Sequence, residues 1–203
     1  IEEIVRLALE EDFGDGDHTS LATIPENARG EAVLLAKEVG ILAGIEVASE
    51  VFRQVDSDIK LEVYFNDGSH IKPGDEILLA KGKSRALLSA ERTALNFIQR
   101  MSGIATYTNK VVKKIEGTRS VLLDTRKTTP CNRAVEKMAV RIGGGTSHRF
   151  GLYDMIMIKD NHVDYSGGIK NAIEATHKYL KEKNKNLKIE LEVRNFEELN
   201  EAM

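Results

Sequence analysis

At 203 residues, with 41% apolar and 30% charged side chains, the chain has the composition of a globular protein with a sizeable core, enough for one or two domains of about 100–200 residues each. A net charge of −3 argues against a broadly basic nucleic-acid binder. No apolar run reaches the ~20 residues of a membrane span, and no basic-then-apolar signal opens the chain, so the cytoplasm is the expected compartment. The lone cysteine, Cys131, has no disulfide partner and no CxxC or Cys/His neighbour for zinc.

The chain opens at Ile1 inside a helical pattern, with Ile1, Ile4, Val5 and Ala8 on one face. It stops at Met203 inside another pattern that begins near Asn195, so both ends read as cuts. The next stretch, EDFGDGDHTS, is acidic and rich in turn residues. Its DFG comes without the glycine loop and HRD segment of a kinase. Asp15, Asp17 and Thr19 begin like a calcium loop, but Ser20 occupies the place where the sharp turn needs glycine. A solvated capping loop is the reading that remains.

Residues 31–43 and 59–65 are β-rich, with Ile59, Leu61, Val63 and Phe65 alternating onto one face and a helix over GIEVASEVFRQV between them. Asn66-Asp67-Gly68 and Pro73-Gly74 place turns in a hairpin-like region. From Ser84 to Met101 the spacing is helical, with Leu87, Ala90, Ala94, Phe97, Ile98 and Met101 as the buried stripe and Arg92 on its flank. Ser102-Gly103 reads as a stop, and a second helix over about 104–116 ends at Gly117. Strands and helices that do not alternate regularly suggest an α+β layer domain.

After Gly117 the pattern changes. Residues 120–124, 154–160 and 188–193 read as short apolar strands, each followed by a helical stretch. Continuous apolar runs such as VLL and MIMI mark strands covered on both faces. Repeated strand–helix units imply a parallel sheet, most commonly closed as an α/β barrel. Three units cannot close a barrel of about 250 residues, so the barrel is expected to continue beyond Met203.

Asp124 to His162 contains seven Lys/Arg and four Asp/Glu, together with His148 and His162. Arg126 and Lys127 follow VLLD and Lys159 follows MIMI, at the C-terminal strand ends where α/β barrels carry their active sites. Glu190 and Glu192 share a strand face, and buried carboxylates rarely serve packing alone. Gly143-Gly144-Gly145, ahead of His148-Arg149, could bring backbone N–H groups to an anion. Each feature has a plain alternative: a solvated loop pair, a snorkelling lysine, a structural histidine, a flexible glycine turn, carboxylates facing helix lysines. The basic stretch HKYLKEKNKNLK reads as an exposed helix C-terminus. Taken together at successive strand ends, the cations point to a pocket for a polycarboxylate and a phosphorylated partner.

At DTRKTTP (124–130), GGGTSHRFGLYD (143–154) and IKDNH (158–162) the chain resembles the quinolinate phosphoribosyltransferase family. The likeness extends through AKEVGILAGIEVA (36–48), LLSAERTALNFIQRMSGIAT (87–106) and LEVRNFEEL (191–199), and covers essentially the whole chain. It implies an α/β fold in which an N-terminal α/β sandwich domain, 1–115, is followed by an incomplete, truncated α/β barrel whose first part is 116–203. It also implies a pentosyltransferase that moves phosphoribosyl from phosphoribosyl pyrophosphate to quinolinate with Mg²⁺. The products would be nicotinate mononucleotide, pyrophosphate and CO₂, in NAD synthesis.

By motif position, the resemblance puts Arg126, Lys127, Thr128, His148, Arg149 and Lys159 at the substrate, with Lys127, Lys159 and Glu192 as the catalytic set. Glu192 would approach the ribose and the substrate-borne metal, with Glu190 as its rival. Arg92 would reach in from the partner subunit of a homodimer or higher homo-oligomer, and neither nucleic acid nor membrane is an implied partner. Adjacent carboxylates suit guanidinium forks, which bind them bidentately. The chain departs from the family pattern at Cys131, where glycine is usual, and at Ser147, where asparagine is usual. It offers no candidate for the 5′-phosphate cradle, and the fragment alone is expected to be inactive. The alternatives are a Schiff-base lyase with Lys159 as nucleophile, a same-fold homologue attached to molybdenum metabolism, and an anion-binding fragment without this activity.

Overall fold

Val5 and Leu9, one helical turn apart, are buried on α1 (Glu2–Phe13), the first helix of a computed structural model that describes residues 1–203. The acidic stretch after it is not all loop. Asp17 accepts the Ser20 N–H at 3.0 Å and caps α2 (His18–Thr23), while its other oxygen takes the Ser89 hydroxyl at 2.9 Å. The chain divides into two units, Ile1–His148 and Arg149–Met203.

In the first unit, β1 (Arg29–Leu35), β3 (Lys60–Val63) and β5 (Glu76–Lys83) form an antiparallel sheet in the order β1-β5-β3. The turns at Gly68 and Gly74, both with φ near +90°, frame β4 (His70–Ile71), which pairs with β2 (Gly40–Ile41) and interrupts the expected hairpin. The core lies between this sheet and two helices, α3 (Ile45–Val55) and α4 (Ser84–Lys114). Val47, Val51, Ile77, Ala80, Ala90 and Met101 are all sealed from water within it.

The expected stop at Ser102-Gly103 does not occur, because α4 runs unbroken through it. The Ser102 hydroxyl bonds both the N–H and the carbonyl of Ala43, at 2.9 and 3.1 Å, and Thr106 receives the Ile41 N–H at 2.8 Å. The apolar stripe also continues past the glycine to the buried Ala105. These contacts outweigh the ~1 kcal/mol cost of a helical glycine.

The strand expected at 120–124 is reduced to one parallel bridge, Leu123 to Thr146. It has no second neighbour to extend a ladder. Between the two bridge positions lies α5 (Arg133–Ile142), and the glycines that follow it do not act as an anion cradle. The N–H groups of Gly143, Gly144 and Gly145 donate to the carbonyls of Ala139, Arg141 and Val140, closing the helix. A Cβ at Gly143 would lie 2.4 Å from the Ala105 carbonyl oxygen, so the glycine lets α5 pack against α4. Gly143→Ala is therefore expected to cost about 2 kcal/mol through overpacking, read as a lower denaturation midpoint; an unchanged midpoint would show that the two helices separate freely.

In the second unit, β6 (Ile156–Ile158) and β7 (Ile189–Leu191) pair in parallel with Ile158 opposite Leu191. The connection between them carries α6 (Asp160–Ser166) and α7 (Ile169–Glu182), and α8 (Phe196–Ala202) follows β7. Ile158, Val163, Ile169 and Ala172 form a small core of their own. No closed barrel is present, in keeping with the expected incomplete one. No helix is long and apolar enough to cross a membrane.

Candidate functional site

Asp124 organises the first half of the basic window. Its backbone N–H donates to the Thr146 carbonyl at 3.1 Å, and the Thr146 N–H donates to Leu122 at 2.8 Å. This pairing sets residues 122–124, just ahead of Arg126 and Lys127, beside Thr146. Asp124 Oδ1 then accepts the His148 backbone N–H at 2.9 Å and the ammonium of Lys137 from α5. The two charged side chains are only 5% and 3% exposed. Asp124 Oδ2, Arg126 Nε and Ser147 Oγ are buried without a partner.

The far end of the same loop is held by Glu136. Its carboxylate accepts the Thr129 N–H at 3.1 Å and the Arg100 guanidinium at 2.9 and 2.6 Å, and Arg100 also reaches the Thr129 hydroxyl at 2.6 Å. Burial pushes the Glu136 carboxyl up, but the hydrogen bonds from Thr129 and Arg100 outweigh it and hold the group below the usual carboxylate range. Thr128 accepts Arg133 Nε at 3.2 Å, and the Lys127 N–H donates to Thr125 Oγ1 at 3.1 Å, leaving the Lys127 side chain exposed. A cavity of about 580 Å³ lies against the loop, lined by Arg100, Asp124, Lys127, Thr128, Glu136 and Lys137. Arg126 and His148 are not among its walls. Arg92 is exposed on α4 and does not line this cavity; it lies two turns before Arg100, ~12 Å along the helix.

The second unit begins with Arg149, half-buried and followed by a tight turn in which Asp154 accepts the N–H groups of Phe150 and Gly151 at 2.6 and 2.8 Å. Register explains the contact between Lys159 and Glu192. Lys159 and Glu192 are the residues directly after the paired Ile158 and Leu191, and the Glu192 N–H donates to the Ile158 carbonyl at 2.9 Å. Lys159 Nζ meets Glu192 Oε1 at 2.6 Å. The Lys159 N–H donates to His162 Nδ1 at 2.9 Å, which leaves Nε2 as the nitrogen free to carry a proton in the neutral ring. Glu190 sits half-buried opposite Met157 and has partners of its own.

Comparison with known proteins places this arrangement. The profile described as "Quinolinate phosphoribosyl transferase, N-terminal domain" matches residues 17–102, and that for the C-terminal domain matches residues 104–203. NadC from Streptococcus pyogenes superposes with a TM-score of 0.92 at 39% identity, over 100% of this chain and 70% of that one. The chain belongs to the quinolinate phosphoribosyltransferase family. A "nicotinate-nucleotide pyrophosphorylase [carboxylating], chloroplastic" from Arabidopsis thaliana is 45% identical over 98% of this chain. The "probable" carboxylating enzyme of Bacillus subtilis is 44% identical over 95% of it. The chain spans 57% of the length of the Arabidopsis protein and 65% of the Bacillus one.

Against the quinolinate phosphoribosyltransferase pattern, the first unit brings Arg126, Lys127, Thr128 and His148 onto neighbouring segments, and the second brings Lys159 to Glu192. Arg92 joins neither group. The reading of Lys159 as a Schiff-base nucleophile loses its basis. Such a lysine needs a desolvated amine, whereas Lys159 is 42% exposed and bound to a carboxylate. No group of three or more His, Cys, Asp or Glu side chains is placed to hold a metal. Glu192 offers one carboxylate, already engaged by Lys159, so these residues do not by themselves make a Mg²⁺ site.

Sequence reading missed Asp124, Lys137, Glu136 and Arg100 as parts of the site. A carboxylate closing an apolar strand, set in a basic window, was the available signal for Asp124. Cys131, one of the family departures, adopts φ 64°. An L-residue pays about 1–2 kcal/mol there, so Cys131→Gly, which relieves the strain but frees the unfolded chain, is expected to raise stability by up to about 1 kcal/mol. A lower midpoint in thermal unfolding would show that the thiol makes contacts worth more than the strain.

Proposed function

We propose that the protein to which this chain belongs transfers phosphoribosyl from phosphoribosyl pyrophosphate to quinolinate and releases CO₂. One observation carries the reading: a buried carboxylate, Asp124, holds two basic segments side by side, one of them bearing a guanidinium whose buried Nε has no partner. Drawing a dianion out of water is tolerable only against several fixed cations. Arg126 and Lys127 supply such cations in the first unit, with the Thr128 hydroxyl and the His148 imidazole as further polar groups. Arg149, Lys159 and Glu192 belong to the second unit, and in this reading their place in the resembling motifs gives them to the same reaction.

In this reading the cations hold the adjacent carboxylates so that the ring nitrogen faces the ribose. The new C–N bond forms at the anomeric carbon as the bond to pyrophosphate breaks. That transition state is oxocarbenium-like, by analogy with glycoside chemistry, and the Glu192 carboxylate stabilises its charge. Lys159, bonded to Glu192, orients it. The ribosylated ring is a pyridinium, so the electron pair left on the ring carbon when the neighbouring carboxylate departs as CO₂ is stabilised by the adjacent positive nitrogen, and a proton then takes the place of the lost group. Mg²⁺ would neutralise the pyrophosphate. The protein's part is positioning and electrostatics.

We further propose a cytoplasmic homodimer or higher homo-oligomer in which Arg92 serves the neighbouring subunit. The exposure of Arg92 on α4 supports that arrangement. The deciding assay gives the intact protein quinolinate, phosphoribosyl pyrophosphate and Mg²⁺, and follows nicotinate mononucleotide and CO₂. Turnover of nicotinate with no CO₂ would defeat the carboxylating reading.

A further inference from the structure

The Asp124–Lys137 pair is an expensive way to fill a small space. Taking two such ions out of water costs several kcal/mol each, and a well-packed apolar pair of similar volume is often as stable or more so. Stability alone therefore gives no reason for it. An apolar pair could not reproduce its connections. Asp124 Oδ1 takes the Lys137 ammonium from α5 and the backbone N–H of His148 from the opposite segment. The preceding residue of α5, Glu136, holds Thr129. Two adjacent side chains of one helix thus fix both ends of the loop that carries Arg126 and Lys127. The helix is itself seated on α4 through Gly143, whose N–H closes α5 and whose missing Cβ permits the contact. Because the buried pair is neutral overall, it orders the loops without offsetting the positive charge of Arg126 and Lys127.

We propose that Asp124 and Lys137 form the positioning pair of the anion site: they set the distance between the Arg126–Lys127 loop and the His148 segment, and neither touches the substrate. This rests on the quinolinate reading for its ligand but not for its geometry. The test compares two double variants of the intact protein. In Asp124→Asn/Lys137→Met the charges are gone but an oxygen can still accept the His148 N–H; in Asp124→Leu/Lys137→Met that acceptor is gone too.

Calorimetric affinity for quinolinate is expected to survive in the Asn/Met variant and to fall about 100-fold in the Leu/Met variant, the scale of a misplaced binding group, while both retain the parent's denaturation midpoint or exceed it. The His148 amide should exchange slowly in the parent and the Asn/Met variant and fast in the Leu/Met variant. Parent-like affinity in a folded Leu/Met variant, or equal loss in both, overturns the proposal. If the parent itself binds no quinolinate, the functional reading fails and the exchange pattern decides: unchanged protection of His148 in the Leu/Met variant overturns the positioning role. Should that variant not fold, Asp124→Ala/Lys137→Met replaces it with the same expectations.

Discussion

Arg126→Ala is expected to abolish measurable quinolinate binding by the intact protein while leaving its fold in place. A guanidinium fork meets a carboxylate with two charge-assisted hydrogen bonds, each worth about 1.5–3 kcal/mol. Losing both weakens affinity by a factor on the order of 10²–10⁴. The fold should survive because Arg126 Nε has no partner in the protein, so its removal strands no buried group. Arg126→Lys restores charge but not the fork, and should recover only part of the loss. Lys159→Ala provides the companion measurement in the second unit. It opens an ion pair whose members are 42% and 48% exposed, and such pairs contribute about 1 kcal/mol or less to stability. A large loss of binding there would therefore not be secondary to unfolding. Calorimetry with quinolinate checks both variants, and unchanged affinity in Arg126→Ala would put the pocket elsewhere.

Much of this site could be read from the residue order because its charged groups sit at strand ends. MIMI followed by lysine and LE following IE were enough to place Lys159 and Glu192, since parallel strands in register bring the residues just past their ends together. The N-terminal layer was legible for a similar reason: the stripe on α4 is mostly buried, and Ile59, Leu61 and Phe65 of the alternating set pack partly buried against the core, although Val63 is exposed. Two kinds of feature were not. Ser102-Gly103 carried a local stop signal that tertiary hydrogen bonds to residues 41–43 override, and nothing near it in sequence announces those partners. Glu136 and Lys137 look like ordinary solvated charges on an amphipathic helix. Their burial depends on Arg100 and Asp124, 36 and 13 residues away, so no periodicity within α5 could reveal it. The glycine run misled in the opposite direction, since its N–H groups close a helix instead of facing a ligand.

Glu136→Ala should destabilise the loop support by about 3 kcal/mol. It removes a buried acceptor of three hydrogen bonds, strands the Thr129 N–H, and frees Arg100 from Thr129 as well. The figure stays near the lower bound for breaking a buried pair, because Arg100 is 56% exposed and can return to water. Acid dependence separates this role from simple packing. Burial raises the Glu136 carboxyl, yet donation from Thr129 and Arg100 leaves its folded value below the ordinary one. Its contribution to stability is therefore complete above the unfolded-state value and is lost as pH falls through the folded one. Glu136→Gln keeps an acceptor for part of the network and cannot ionise. Denaturant unfolding of this variant should show a smaller loss near about pH 7 than Glu136→Ala, and a flatter decline toward about pH 3 than the parent. If Glu136→Gln declined in acid as steeply as the parent, the acid sensitivity would lie in other carboxylates, and Arg100 would be gripping a group that contributes no charge to holding the loop.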